Sequence, residues 1–234
     1  MDRKGGVKMT NILFFDEETI PNISLPKDNW PKAPLKNATK PETIAKIEQE
    51  WIENPEKQIK KMSCDYRMNK IVSLQMFRVT NNFTSFVQSY GDEKQMLQTF
   101  WNEVQKTDLI VGFGISGFDI PTIVQRSSIL QVEPTKDFTN LSPYSRSPVY
   151  DIQRVLSLTG KPEAGFNLNW WLQYYGLATK LGDGSQVYTW YREGEIDKIH
   201  EYCRQDVLAT KLLFEKIIKY HPIPRNYDRE QYQD

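Results

Sequence analysis

Residues 12–20, ILFFDEETI, run four apolar side chains directly into three acids, Asp16, Glu17 and Glu18. The apolar run is short and carries Phe14 and Phe15, which predicts a buried strand over residues 11–16. Like charges at the end of a buried strand are unfavourable unless a cation sits among them. Alternation along a strand puts Asp16 and Glu18 on one face, about 6.5 Å apart, and turns Glu17 the other way. Carboxylates so spaced can share divalent cations, and a hard cation such as Mg²⁺ takes oxygen ligands. Taken alone, the pair fits a solvated strand end equally well.

Downstream, residues 21–40 are rich in Pro, Lys and Asn and read as a loop. A helix is predicted over 41–53, with Pro41 in its first turn and Ile44, Ile47, Trp51 and Ile52 on one face. Asn54-Pro55 breaks it, and Lys57, Lys60 and Lys61 follow as a basic cluster. That cluster fits a solvated helix face or a hold on a phosphate backbone. Residues 70–79 and 83–90 read as a β-hairpin turning at Asn81-Asn82. Asp92 and Gln95 form a capping-box signature for a helix that buries Met96, Leu97, Phe100, Trp101 and Val104. Residues 108–113 give a further buried strand, then the loop GISG and a helix from Phe118 to Leu130. PVYDIQRVL reads as a short strand and a helix start, with Asp151 as its cap. Residues 169–175 and 195–218 complete the helices. Strand, hairpin, helix, strand, helix, strand and helices in that order predict an α/β fold, a mixed sheet with helices on both faces.

The bulk composition narrows the function. Of 234 residues, 39% are hydrophobic and 26% charged, an ordinary globular balance. No apolar run approaches the roughly 20 residues of a membrane span. The N-terminus MDRKGGVKMT lacks the apolar segment of a secretory signal. Met9 reads as the natural start, so residues 1–8 form a loose leader and residues 222–234 a polar tail. Cys64 and Cys203 have no metal-type spacing and suit a reducing cytoplasm. Thirty basic residues balance thirty acidic ones. No global field therefore attracts nucleic acid, and any such contact must be local or bridged by cations.

Two further acids stand out. Asp119 follows a strand and a glycine-bearing loop, where α/β sheets place functional groups, although capping the next helix is an equally ordinary use. Asp206 lies within a strong helix where Asp has poor propensity, and Tyr202 neighbours it at i, i+4. FDEET, VGFGISGFDIP and EYCRQDV together resemble, in order, the three exonuclease motifs of the DEDD superfamily. The spacing from Tyr202 to Asp206 marks the DEDDy branch. The histidine branch would place its histidine at position 201, which is Glu201, and His200 is out of register. YDIQRVL, NLNWWLQYYGL and YREGEIDKIHEYCRQDVLAT are similar to exonuclease domains related to family B DNA polymerases. The likeness covers about residues 9–219. The second motif departs from it, with Phe113-Gly114 where relatives often carry a polar pair. Glu17 stands where relatives usually have an apolar residue, and residues 21–65 form a longer insertion than the minimal domain needs.

The resemblance implies a ribonuclease H-like, five-stranded mixed sheet over a single domain at 9–221. It implies that Asp16, Glu18, Asp119 and Asp206 hold two divalent ions, Mg²⁺ or Mn²⁺. Tyr202 would orient the attacking water, and Thr19 and Phe118 would touch the terminal nucleotide or simply pack. The activity implied is 3′-5′ hydrolysis of phosphodiester bonds at DNA 3′ ends, single-stranded ones foremost, releasing nucleoside monophosphates. The same site would serve an exoribonuclease, and an inactive nucleic-acid-binding module is the reading of a different class. A proofreading role would require a replication or repair partner. Trp170, Trp171, Tyr174 and Tyr175 have the helical spacing of core aromatics, with base stacking the alternative.

Overall fold

The sheet is built outward from β1 (Asn11–Pro21) in this computed structural model. β2 (Asn69–Thr80) pairs with it antiparallel, and β3 (Thr84–Val87) adds to β2 as a hairpin. β4 (Leu109–Gly112) and β5 (Val149–Asp151) join the other edge of β1 in parallel, giving the order β3-β2-β1-β4-β5. This is the mixed five-stranded sheet expected of a ribonuclease H-like fold. The structure describes residues 11–87, 89, 91–139, 141, 148–158, 164–179, 182 and 184–221. The leader at 1–8 and the tail at 222–234 lie outside them.

Local chemistry explains the helices. α1 (Pro41–Ile52) starts on a proline, and α2 (Pro55–Ser63) starts on another behind Asn54, whose side chain accepts from Lys57 N–H. α3 (Glu93–Gln105) carries the full capping box of Asp92 and Gln95 and buries the five apolar residues its spacing predicts. α4 (Asp119–Leu130), α5 (Ile152–Leu156), α6 (Leu168–Tyr174) and α7 (Val187–Glu193) lead to the long α8 (Ile196–Ile217). Asn167 caps α6 through Trp170 N–H.

Both faces of β1 are covered. Ile12 and Phe14 pack with Val207, Leu213 and Phe214 of α8, and the Phe14 and Phe214 rings meet edge-on at 5.3 Å. Leu13 and Phe15 face α3 and α4 among Phe100, Trp101, Ile120 and Ile123. One strand end and one core assignment differ from expectation. β1 does not stop at the acids: β4 pairs only with Ile12–Phe14, but β2 carries the strand on to Pro21 through a bulge between Glu18 and Thr19. Ile52 is 72% exposed. Ile44, Ile47 and Trp51 form a narrow i, i+3, i+7 stripe that is half-buried, and Ile52 falls outside it.

α4 is tied to α3 by a bidentate pair, Arg126 to Glu93, with both nitrogen–oxygen distances 2.7 Å. Glu93 also accepts from Ile71 N–H of β2 at 2.8 Å. One carboxylate thus joins two helices and the sheet. Removing one member of a buried pair leaves the other charge uncompensated. Arg126→Ala is expected to lower unfolding free energy by about 3 kcal/mol in urea titrations. A loss below about 1 kcal/mol would place the pair among ordinary surface bridges.

Candidate metal centre

The alternation that buries Phe14 on the α8 side carries Asp16 and Glu18 to that side as well. α8 meets them with Asp206, which lies on its buried stripe between Cys203 and Thr210. One ligand atom from each of Asp16, Glu18 and Asp206 lies within 4.8 Å of the other two. The sequence-predicted acids of the first and third motifs are therefore brought together. Cys203 Sγ donates to Asp16 O at 3.2 Å and lies 3.6 Å from Asp16 Oδ2. Burial, then the charges of Asp16 and Glu18, push this thiol well above its ordinary value. The thiol is thus held neutral, and the three groups that converge offer carboxylate oxygens. Such a set fits a hard divalent cation.

Asp119 lies outside that trio and approaches from the opposite side of β1. Phe118 occupies the N-cap position of α4 and Asp119 is its first residue, so Asp119 is not the cap. β4 stops at Gly112, and beyond it the Asp119 carboxylate lies near the backbone N–H groups of Glu17 and of Asp119 itself. Burial pushes Asp119 up to about 7; these two N–H groups draw it down, and the nearby charge of Asp151 raises it. Glu17 faces the same side and is buried. Burial first, then the charges of Asp119 and Asp16, hold its carboxyl well above the usual range, and neither of its oxygens has a hydrogen-bond partner among the described residues. The acid that departs from the family pattern thus sits behind Asp119.

Tyr202 is 6% exposed and belongs to a cluster with Ile20, Val187 and Ile199. Trp190 packs against its ring at 5.7 Å. Gly182, at φ +114°, lies so close that a Cβ there would meet the Tyr202 ring at 2.9 Å. The hydroxyl lies beside Gly184. Thr19 donates to Ser63 O at 2.7 Å, tying the end of α2 to β1, and Phe118 is half-buried. Asp151 caps α5 as expected, and it also accepts from Gly114 and Ser116 N–H, each at 2.9 Å. Nothing in the spacing announces that second role. The aromatics of α6 and its C-cap divide: Trp171 and Tyr175 pack on the core, whereas Trp170 and Tyr174 are 36% and 66% exposed and stack on each other. α6 covers the core with Leu168 and Leu172, which leaves its other face open.

Residues 63–234 match the family described as predicted 3′-5′ exonucleases related to the exonuclease domain of PolB. That span includes Asp119, Tyr202 and Asp206 and begins after Asp16 and Glu18. The fold is similar to that of the family B DNA polymerase from the hyperthermophilic archaeon Pyrobaculum calidifontis. The two share 19% identity and a TM-score of 0.55, over 89% of this chain and 24% of the polymerase. That likeness speaks to the fold, and this chain spans about a quarter of the polymerase's length. No curated protein matches the chain.

The acids behind β1 make stability depend on pH. Unfolded Glu17 and Asp119 release their protons near pH 4, whereas the folded protein holds that of Asp119 to about pH 7 and that of Glu17 well above its usual range. Where the folded state binds more protons, stability falls as pH rises. The metal-free protein should therefore lose stability from about pH 4 to 7. Glu17→Gln mimics the protonated acid and removes its share of this loss. The variant should melt with the wild type at pH 4 and at least about 3 °C above it at pH 7, in calorimetry with EDTA. A lower melting temperature at pH 7 would show that charged Glu17 stabilises the fold.

Proposed function

This chain belongs to the predicted 3′-5′ exonucleases related to the exonuclease domain of PolB, and from that premise we propose that it shortens DNA from the 3′ end. The substrate in this reading is a single-stranded end, and the product is a nucleoside monophosphate. The convergence of Asp16, Glu18 and Asp206 carries the reading. Those three, with Asp119 joining from across β1, would hold two divalent ions, Mg²⁺ or Mn²⁺. Such ions, when bound, activate water and stabilise charge on phosphate oxygens.

The protein's own residues have distinct tasks in this scheme. Asp16 and Glu18 stand on β1, where pairing with β2 would hold their backbone in place. Asp206 closes the set from a 22-residue helix. The Tyr202 ring is held between Trp190 and Gly182, which leaves its hydroxyl a fixed donor to orient the attacking water. Thr19 and Phe118 border the acids and would touch the terminal nucleotide. The free thiols Cys64 and Cys203 suit the cytoplasm, and a replication or repair protein that exposes 3′ ends is the partner class implied. Among the described residues no helix is long and apolar enough to cross a membrane.

A digestion series tests the reading. Matched DNA and RNA oligonucleotides, single- and double-stranded, are incubated with Mg²⁺ or Mn²⁺ and with EDTA. Metal-dependent release of nucleoside monophosphates from single-stranded DNA is expected. Asp206→Asn should abolish it and leave the melting temperature equal or higher, since it relieves carboxylate crowding. Digestion that persists in EDTA would overturn the metal scheme, and RNA cleaved in preference to DNA would make the protein an exoribonuclease. Binding without cleavage of any substrate would favour the inactive module.

The insertion supports a local hold on the strand. Ser63 is fastened to Thr19, and Cys64 feels both Lys60 and Glu18. Lys57, Lys60 and Lys61 are exposed on this same helix. Replacing all three with Ala should weaken oligonucleotide binding and flatten its salt slope by about 2. The rate at saturating DNA should hold. An unchanged slope would return the lysines to a solvated face.

A further inference from the structure

We infer that Asp151, a residue outside the acid set, is the positioning residue for Asp119. The inference rests on the exonuclease reading above and adds a residue to it. Asp151 ends β5 and pairs in register with Gly112, the last residue of β4. The chain leaving Gly112 has six residues in which to turn back into α4. Asp151 Oδ1 accepts from Gly114 N–H at 2.9 Å, and Oδ2 accepts from Ser116 N–H at 2.9 Å. The turn closes with Gly117 N–H donating to Gly114 O at 3.0 Å. Ile120 N–H then donates to Ile115 O at 2.9 Å, which sets the start of α4 on the clamped loop. Asp119 stands at that start, within reach of Glu17 N–H.

Capping alone does not account for this residue. α5 is only five residues long, and Gln153 N–H and Arg154 N–H reach Oδ1 at 3.1 and 3.4 Å. A neutral Asn or Ser would serve such a cap. A carboxylate that is only 5% exposed is expensive to bury. It is retained here with both oxygens engaged by the loop, and Arg154 Nε stands 3.9 Å from Oδ2. Asn has one acceptor oxygen, and its amide NH₂ would confront Ser116 N–H. Ile115 fastens the loop to the core by packing, whereas the backbone N–H groups of Gly114 and Ser116 are held by Asp151. Asp151 therefore sets where Asp119 can stand.

The test compares the wild type with Asp151→Asn and Asp151→Ser, both of which keep a cap. Mn²⁺ binding is measured by electron paramagnetic resonance without substrate, and kcat and KM are measured separately on single-stranded DNA. Both variants should fold, bind Mn²⁺ about 10-fold more weakly and lose about 10-fold in kcat, with KM for DNA within about twofold. A purely structural cap would lower the melting temperature and leave Mn²⁺ affinity and kcat unchanged, and that result overturns the inference. The wild type gives a third readout: amide exchange at Gly114 and Ser116 should slow on adding Mn²⁺, and unchanged exchange also overturns it. A wild type that binds Mn²⁺ and cleaves DNA, beside variants that do the same, refutes Asp151 alone. A wild type that binds no Mn²⁺ refutes the exonuclease reading itself.

Discussion

β1 is covered on both faces, so its two-residue period sends successive side chains into two different environments. The apolar half of the strand fills both cores, with Phe14 against α8 and Phe15 against α3. The acidic half inherits the same phase. Asp16 and Glu18 must face α8, and Glu17 must face α4. A slip of one residue would exchange the two sets and bury two carboxylates behind the sheet. The register with β2, Phe15↔Met76 and Asp16↔Gln75, pins that phase through buried side chains. The placement of the acids is thus a consequence of core packing.

Electrostatics opposes the arrangement. Three acids in sequence, a fourth on α4 and a fifth on α8 are held in a region where burial pushes Glu17 and Asp119 upward. Burial and neighbouring carboxylates disfavour the charged forms of Glu17 and Asp119. A locally unfavourable cluster on a rigid strand and a long helix is a feature that folding alone does not require. Cations bound to the folded state would lower its energy by mass action and turn the repulsion into attraction. If Asp119 were a ligand, its protonation would compete with such binding and ligand formation would be coupled to proton release.

Much of this was legible in the sequence. The alternation of ILFFDEETI placed Glu17 opposite its neighbours, and the capping box placed α3 with its five core residues. Asp206 was visible because Asp is a poor choice within a helix that is otherwise well formed. What escaped depends on contacts between distant segments. The continuation of β1 to Pro21 needs β2, some fifty residues away, to supply partners where β4 has ended. Ile52 was misplaced because a 100° stripe read from α1 alone does not tell how narrow its contact line is. The aromatic residues of α6 share one helix, and only the packing of Leu168 and Leu172 decides which of them meet the core.

The second motif shows where local reading fails for a physical reason. Relatives often carry a polar pair in this loop, and here Phe113 packs against the core while Gly114 turns at φ +77°. At φ +77° an L side chain is strained, so the position favours glycine. The loop's order is carried by its backbone N–H groups, and any acceptor of the right reach can hold them. That acceptor is Asp151, 37 residues beyond Gly114 and on the neighbouring strand. The side chains of the loop can therefore depart from the family pattern while its geometry is maintained from outside. The acid at the end of the loop is fixed by its chemistry. The anchor that places it is fixed only by where β5 brings an oxygen.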